Sequence, residues 1–217
     1  MTARGLFITV EGGEGVGKST NIAYLQQQLA AQGVELLVTR EPGGSALGER
    51  IRQLLLAVDA EEIDAMAELL LVFAARAQHI STLIEPALAA GKWVLCDRFT
   101  DATYAYQCGG RGIDPGAVSA LEQLVQGELR PDCTLLLDAP VSTGMARAQG
   151  RGELDRFERE ELAFFERVRR TYLELAETSS GRYRIIDASQ SLENVQQQLR
   201  KVCHELTECW GVRHPAP

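Results

Sequence analysis

Leu6-Phe7-Ile8-Thr9-Val10 is followed, after Glu11, by Gly12-Gly13-Glu14-Gly15-Val16-Gly17-Lys18-Ser19. The apolar run has the length and composition of a buried strand, and the eight residues beyond it match G-x-x-x-x-G-K-S, a turn that cradles phosphate. Glycines at 12, 13, 15 and 17 keep Cβ atoms out of the turn, so successive backbone N–H groups can converge on an anion instead of pairing with each other. The helix expected to open near Gly17 adds the positive end of its dipole. Lys18 can reach β- and γ-phosphate oxygens, and the Ser19 hydroxyl can ligate Mg²⁺.

Working outward, four more apolar runs alternate with helical patterns: Val34 to Thr39, Trp93 to Cys96, Cys133 to Leu137 and Tyr183 to Ile186. A helix-length segment separates each strand from the next. The expected architecture is therefore an α/β P-loop fold over residues 1–217, with a five-stranded, largely parallel sheet and helices on both faces. Ligands of such sheets sit beyond the carboxyl ends of the strands. That rule gathers residues 11–19 and 40–44, Asp97-Arg98, Asp138 and Asp187 at one edge.

Composition narrows the partners. Thirty Asp and Glu outweigh 22 Lys and Arg, which disfavours a protein that coats a nucleic-acid backbone. Five cysteines, Cys96, Cys108, Cys133, Cys203 and Cys209, form no C-x-x-C pair and suit the reduced thiols of a cytoplasmic protein. No uncharged apolar stretch approaches about 18 residues, so a membrane partner is not expected.

Asp64 to Ala89 reads as one long helix whose centre, Leu69 to Ala75, is apolar on nearly every face. Such a helix calls for burial all round, and packing on a second copy of the chain would supply it. Between Gly144 and Phe157, Arg147, Arg151 and Arg156 interleave with Gly150 and Gly152, as in a small flap that closes over polyphosphate. With Arg40 and Arg98 at strand ends, the chain carries more cationic sites than one triphosphate needs. A second, phosphorylated substrate accounts for the surplus, because phosphoryl transfer is mainly positioning and charge neutralisation. No Asn-Lys-x-Asp motif occurs, which weighs against a regulatory GTPase.

The cradle, T-R-E-P-G-G (Thr39 to Gly44), F-A-A-R (Phe73 to Arg76), D-R-F-T-D-A-T-Y-A-Y-Q (Asp97 to Gln107), G-G-R-G (Gly109 to Gly112) and G-R-G-E-L-D-R-F-E (Gly150 to Glu158) together resemble the thymidylate kinase family over nearly the whole chain. The arrangement is similar to its bacterial form, in which the arginines that compensate transition-state charge sit in the flap. The resemblance implies a homodimeric kinase that phosphorylates dTMP with ATP and Mg²⁺. ATP would lie on Gly12, Gly13, Glu14, Gly15, Val16, Gly17, Lys18, Ser19 and Thr20, with the metal near Ser19 and Asp97. Glu14 would approach the sugar 3′-hydroxyl, Arg40 and Arg98 would hold the acceptor phosphate, and Glu41, followed by Pro42, would lie near the metal and its waters. Phe73 would stack on thymine, Arg76 would bond its carbonyl edge, Thr103 and Gln107 would meet the opposite edge, and Tyr106 would fill the space of a 2′-hydroxyl. Lys18, Arg98 and one or more of Arg147, Arg151 and Arg156 would carry the catalysis. His79 is assigned no role.

Overall fold

A computed structural model of the chain describes residues 4–58, 62–149, 155–158, 160–179 and 181–213. Five strands form the sheet: β1 (Phe7–Glu11), β2 (Leu36–Arg40), β3 (Trp93–Asp97), β4 (Cys133–Asp138) and β5 (Tyr183–Asp187), in the spatial order β2-β3-β1-β4-β5. Every neighbouring pair is parallel. The helices are α1 (Lys18–Ala31), α2 (Ala46–Leu56), α3 (Ala65–His79), α4 (Glu85–Ala89), α5 (Thr100–Thr103), α6 (Pro115–Gln126), α7 (Val141–Gln149), α8 (Leu162–Thr178) and α9 (Leu192–Arg213), with π-helical segments at Ile80–Ile84 and Tyr104–Gly110.

Central β1 is buried along its whole length. Its alternate residues serve opposite faces, as a period of two requires. Ile8 and Val10 pack with Leu25 and Leu29 of α1 and Leu199 of α9. Phe7 packs on the other face with Phe99, Ile84 and Leu88. Burial on both faces is why the strand reads as an unbroken apolar run. The parallel register brings Glu11, Arg40, Asp97 and Asp138 to one edge, beside Asp187.

Two expectations are refined. The long helix of 64–89 is α3 and α4 joined by the first π-helical segment, which ends just before Pro86. A proline there cannot donate to the preceding turn, and the wider π turn absorbs the break. Ala65–Ala89 is, among the described residues, the one helix long and apolar enough to cross a membrane, yet half of its apolar window is buried inside the fold. The flap also begins later than the glycines suggest, since 144–149 belongs to α7. Gly144 packs directly on the cradle: a Cβ at Gly15, whose φ is 70°, would lie 1.8 Å from the Gly144 carbonyl oxygen. Residues 150–154, Arg151 among them, lie outside the described residues.

Candidate active site

Beyond the carboxyl ends of β1, β2 and β3 lies a cavity of about 230 Å³. The cradle contributes Glu14, Lys18 and Ser19, and the turn after β2 contributes Glu41 and Pro42. Helices α2 and α3 supply Arg52, Val72 and Arg76, while the end of β3 supplies Asp97 and Arg98. Thr103, Tyr106 and Gln107 close a third side, with Asp155, Phe157 and Glu158 across the mouth.

Arg98 is the centre of the first side-chain network. It is a non-glycine residue at φ 67°, a costly conformation kept where the surroundings over-determine it. Its Nη1 donates to the Gly12 carbonyl at 2.9 Å and to the Tyr172 hydroxyl at 3.2 Å, and its Nη2 donates to Glu14 Oε1 at 2.6 Å. Tyr106 also donates to Glu14 Oε1, at 2.7 Å, and its ring centroid lies 4.7 Å from the Arg98 guanidinium carbon. Behind Arg98, Tyr172 of α8 donates to Glu11 Oε2 at 2.8 Å, and the Phe99 backbone N–H donates to Glu11 Oε1 at 2.7 Å. Burial, with the charge of Asp101 adding to it, pushes the Glu11 carboxyl up to about 7.

A second network runs through Arg76. Its Nε donates to Glu41 Oε2 at 2.7 Å and its Nη2 to Thr103 Oγ1 at 2.9 Å. Glu41 is 3% exposed and Arg76 1%. Nη1 of Arg76 is buried with no hydrogen-bond partner among the described residues. A buried guanidinium donor without a partner, on a residue that lines a cavity, is a candidate ligand contact. Glu41 does not face a metal as the resemblance implies, because both of its oxygens are engaged, one by Arg76 and the other by His79 Nδ1 at 2.9 Å. Phe73 is also displaced from its expected place. It is 2% exposed and packs behind the cavity against Leu69 and Val118, with Arg76 stacked over it at 4.7 Å. Val72, one position earlier on α3, lines the cavity instead.

Gln107 donates to Glu68 Oε1 at 2.7 Å, and Glu68 is wholly buried. Arg156 pairs with the same carboxylate through Oε2 and donates to the Leu55 carbonyl at 2.8 Å. Arg147 lies on α7 with Nη1 on the Ala188 carbonyl at 2.9 Å. Arg40 is half exposed and pairs with Glu49 at 2.9 Å. The arginine that enters the cavity from this side is Arg52, anchored on the Pro42 carbonyl at 3.0 Å.

In the cradle, Lys18 donates to the carbonyls of Gly12 and Gly13 at 3.2 and 3.1 Å. Burial lowers its pKa, and the Arg98 charge lowers it further. The Val16 side chain is core, at 5% exposure, whereas Ser19 and Thr20 are exposed. Asp97 Oδ1 is buried without a hydrogen-bond partner among the described residues, and Ser19 lines the same cavity. No group of three or more His, Cys, Asp or Glu among the described residues could cage a metal. One open carboxylate and one hydroxyl fit Mg²⁺, which keeps waters and takes most remaining ligands from substrate phosphates.

A thymidylate kinase family model matches residues 10–199. The thymidylate kinase of Pseudomonas syringae pv. tomato is 62% identical over 204 residues, covering 94% of this chain and 97% of that one. That of Pseudomonas putida (strain GB-1) is 60% identical over 208 residues, covering 95% and 99%. That of Alcanivorax borkumensis is 56% identical over 206 residues, covering 95% and 99%. Among solved structures, a thymidylate kinase from Ehrlichia chaffeensis superposes with a TM-score of 0.74 at 33% identity, covering 92% of this chain and 98% of that one.

Proposed function

The chain belongs to the thymidylate kinase family, and from that premise we propose that it transfers the γ-phosphoryl group of ATP to the phosphate of dTMP with Mg²⁺, each residue acting as follows. The observation that carries the reading is the pair of cavity arginines, one held at each end. Arg98 beside Lys18 supports a phosphate site there, and the Nη1 of Arg76, partnerless among the described residues, supports a contact to the thymine carbonyl edge.

Arg98 holds the acceptor phosphate, with Arg52 supplying the second cation that Arg40, engaged by Glu49, does not. Tyr106, fixed through Glu14 and Arg98, excludes a 2′-hydroxyl, and Glu14 faces the sugar. Thr103 and Gln107 border the base, Pro42 and Val72 provide apolar wall, and Phe73 backs Arg76 rather than the ligand. Lys18 leaves the cradle carbonyls for the donor phosphates, which the N–H groups of residues 12–20 surround. Ser19 and Asp97 would hold Mg²⁺, which would supply positive charge to neutralise the donor phosphates. Of the flap arginines, Arg151 supplies transition-state charge. Arg147 and Arg156 have structural anchors at Ala188 and at Glu68 and Leu55.

The exposed apolar side chains Leu47 and Leu54 of α2 and Met66 and Leu70 of α3 form the face by which we expect two copies to associate. Residues 1–217 act as one catalytic domain in the cytoplasm, without nucleic-acid or membrane partners. The test is ADP release measured with ATP, Mg²⁺ and one acceptor at a time from dTMP, dUMP, UMP, CMP and GMP. ADP release that depends on dTMP supports the reading. Release without any acceptor, or preference for another monophosphate, overturns it.

A further inference from the structure

We propose that His79 is a positioning residue for acceptor recognition: it pins Glu41 and, through it, fixes the guanidinium of Arg76. The inference rests on the reading of Arg76 as the base contact and adds the residue that sets it.

His79 closes α3 and is 0% exposed. Its Nδ1 lies 2.9 Å from Glu41 Oε1 and its Nε2 lies 2.7 Å from Thr39 Oγ1. Glu41 Oε2 in turn takes the Arg76 Nε–H at 2.7 Å, and Arg76 Nη2 reaches Thr103 Oγ1 at 2.9 Å. A carboxylate accepts, so the His79 Nδ1–H donates to Glu41 Oε1, while Nε2 meets the Thr39 hydroxyl. The bonds form one continuous chain through Thr39, His79 and Glu41, with Arg76 meeting Glu41 from the other side. His79, Glu41 and Arg76 are buried, and Thr39 is half-buried.

The mechanical consequence follows from the torsions. The terminal torsion of a glutamate is broad and soft. A carboxylate bonded only to Arg76 Nε could rotate and carry the guanidinium with it. Holding both oxygens removes that freedom and fixes the guanidinium, its Nη1 unpartnered among the described residues, in the cavity wall before the base arrives. The backbone is shaped around the histidine. The π-helical segment starts at the next residue, Ile80. Gly44 has φ 76°, and a Cβ there would lie 2.3 Å from His79 Nε2 and 2.6 Å from Thr39 Oγ1. The segment Thr39 to Gly44 therefore wraps the imidazole closely, with Glu41 turned inward.

The test is steady-state kinetics of His79→Phe, His79→Asn, His79→Gln, Arg76→Lys and the double variant Arg76→Lys/His79→Phe, with melting curves for each. Asparagine places an N–H where Nδ1 stands, whereas glutamine places its amide nearer Nε2. His79→Phe is expected to raise KM for dTMP about tenfold, the effect of one weakened charged hydrogen bond, with kcat and KM for ATP unchanged. His79→Asn restores most of the loss and His79→Gln does not. The double variant is no worse than Arg76→Lys alone, because His79 acts only through Arg76. If Arg76→Lys raises KM for dTMP while His79→Phe leaves it unmoved, the inference falls and the base contact stands. If Arg76→Lys itself leaves KM unmoved, the base-contact reading falls and takes the inference with it. Should His79→Phe fail to fold, equal KM values for the Asn and Gln variants overturn the proposal.

Discussion

The proposed acceptor side of the cavity is tied together mainly by side chains, whereas the proposed donor side is held by its own backbone. Arg98, Glu14 and Tyr106 interlock, as do Arg76, Glu41 and Thr103, and each group is backed by a buried partner. Lys18, which shares the Gly12 carbonyl with Arg98, rests on the carbonyls of the loop it belongs to. The arginines available from the flap region are anchored on Ala188, Leu55 and Glu68. On the proposed reading, one half is assembled before its ligand, and the other draws its cations into place when the ligand binds. Assembly costs conformational entropy in advance and returns it as selectivity for one base and one sugar. A triphosphate, recognised mainly by charge, can be met by groups that move late.

The sharpest contrast is expected in the flap. Arg151→Ala removes the charge assigned to the transferring phosphoryl and should lower kcat by about 10³-fold or more, with little change in substrate binding. Arg156→Ala, which loses its contacts with Glu68, Leu55 and the Phe157 ring, should instead lower the melting temperature. Single-turnover rates with both substrates saturating separate the two, and a wild-type chemical step in Arg151→Ala would remove it from the mechanism. Next is Lys18→Ala, for which loss of one preorganised charge predicts a fall of about 10²- to 10³-fold in kcat. Retained turnover with intact folding would exclude Lys18 from the reaction.

On the acceptor side the effects are smaller and fall on KM as well. Arg98→Lys keeps a charge but cannot bond Gly12, Glu14 and Tyr172 together, so KM for dTMP should rise and kcat fall by about tenfold each, with ATP binding unchanged. Equal losses for ATP would show that Arg98 serves both substrates.

The strands and the cradle were legible because each is a local pattern: β1 is apolar throughout owing to its two covered faces, and the glycines at 12, 13, 15 and 17 answer to the turn itself. The residues that sequence reading passed over are defined by distant partners. His79 meets Glu41 38 positions away, Tyr172 meets Glu11 161 away, and Glu68 meets Arg156 88 away. Arg52 was readable in principle, lying beside Ile51 and Leu55 on the buried stripe of α2. Phe73 was misplaced by a single helical position. One residue turns a side chain by about 100° around the axis, enough to exchange cavity for core.

The smallest effect concerns stability. Glu11 is raised from 4.5 to about 7 in the folded chain, so between those values the folded state holds a proton that the unfolded state has released. Stability therefore decreases as pH rises through that window and levels off above it. Glu11→Gln carries no titratable group and should flatten the slope, a change of about 1–3 kcal/mol between about pH 5 and about pH 7.5. Urea midpoints at the two pH values check it, and an unchanged slope would locate the titration elsewhere.

The contrast between an assembled acceptor half and a ligand-built donor half is tested most directly by calorimetric titration of dTMP into the protein free of nucleotide and metal. The account predicts saturable one-to-one binding of dTMP in the absence of ATP, at an affinity close to its KM, with ribothymidylate clearly weaker. Failure of dTMP to bind until ATP and Mg²⁺ are present would contradict it.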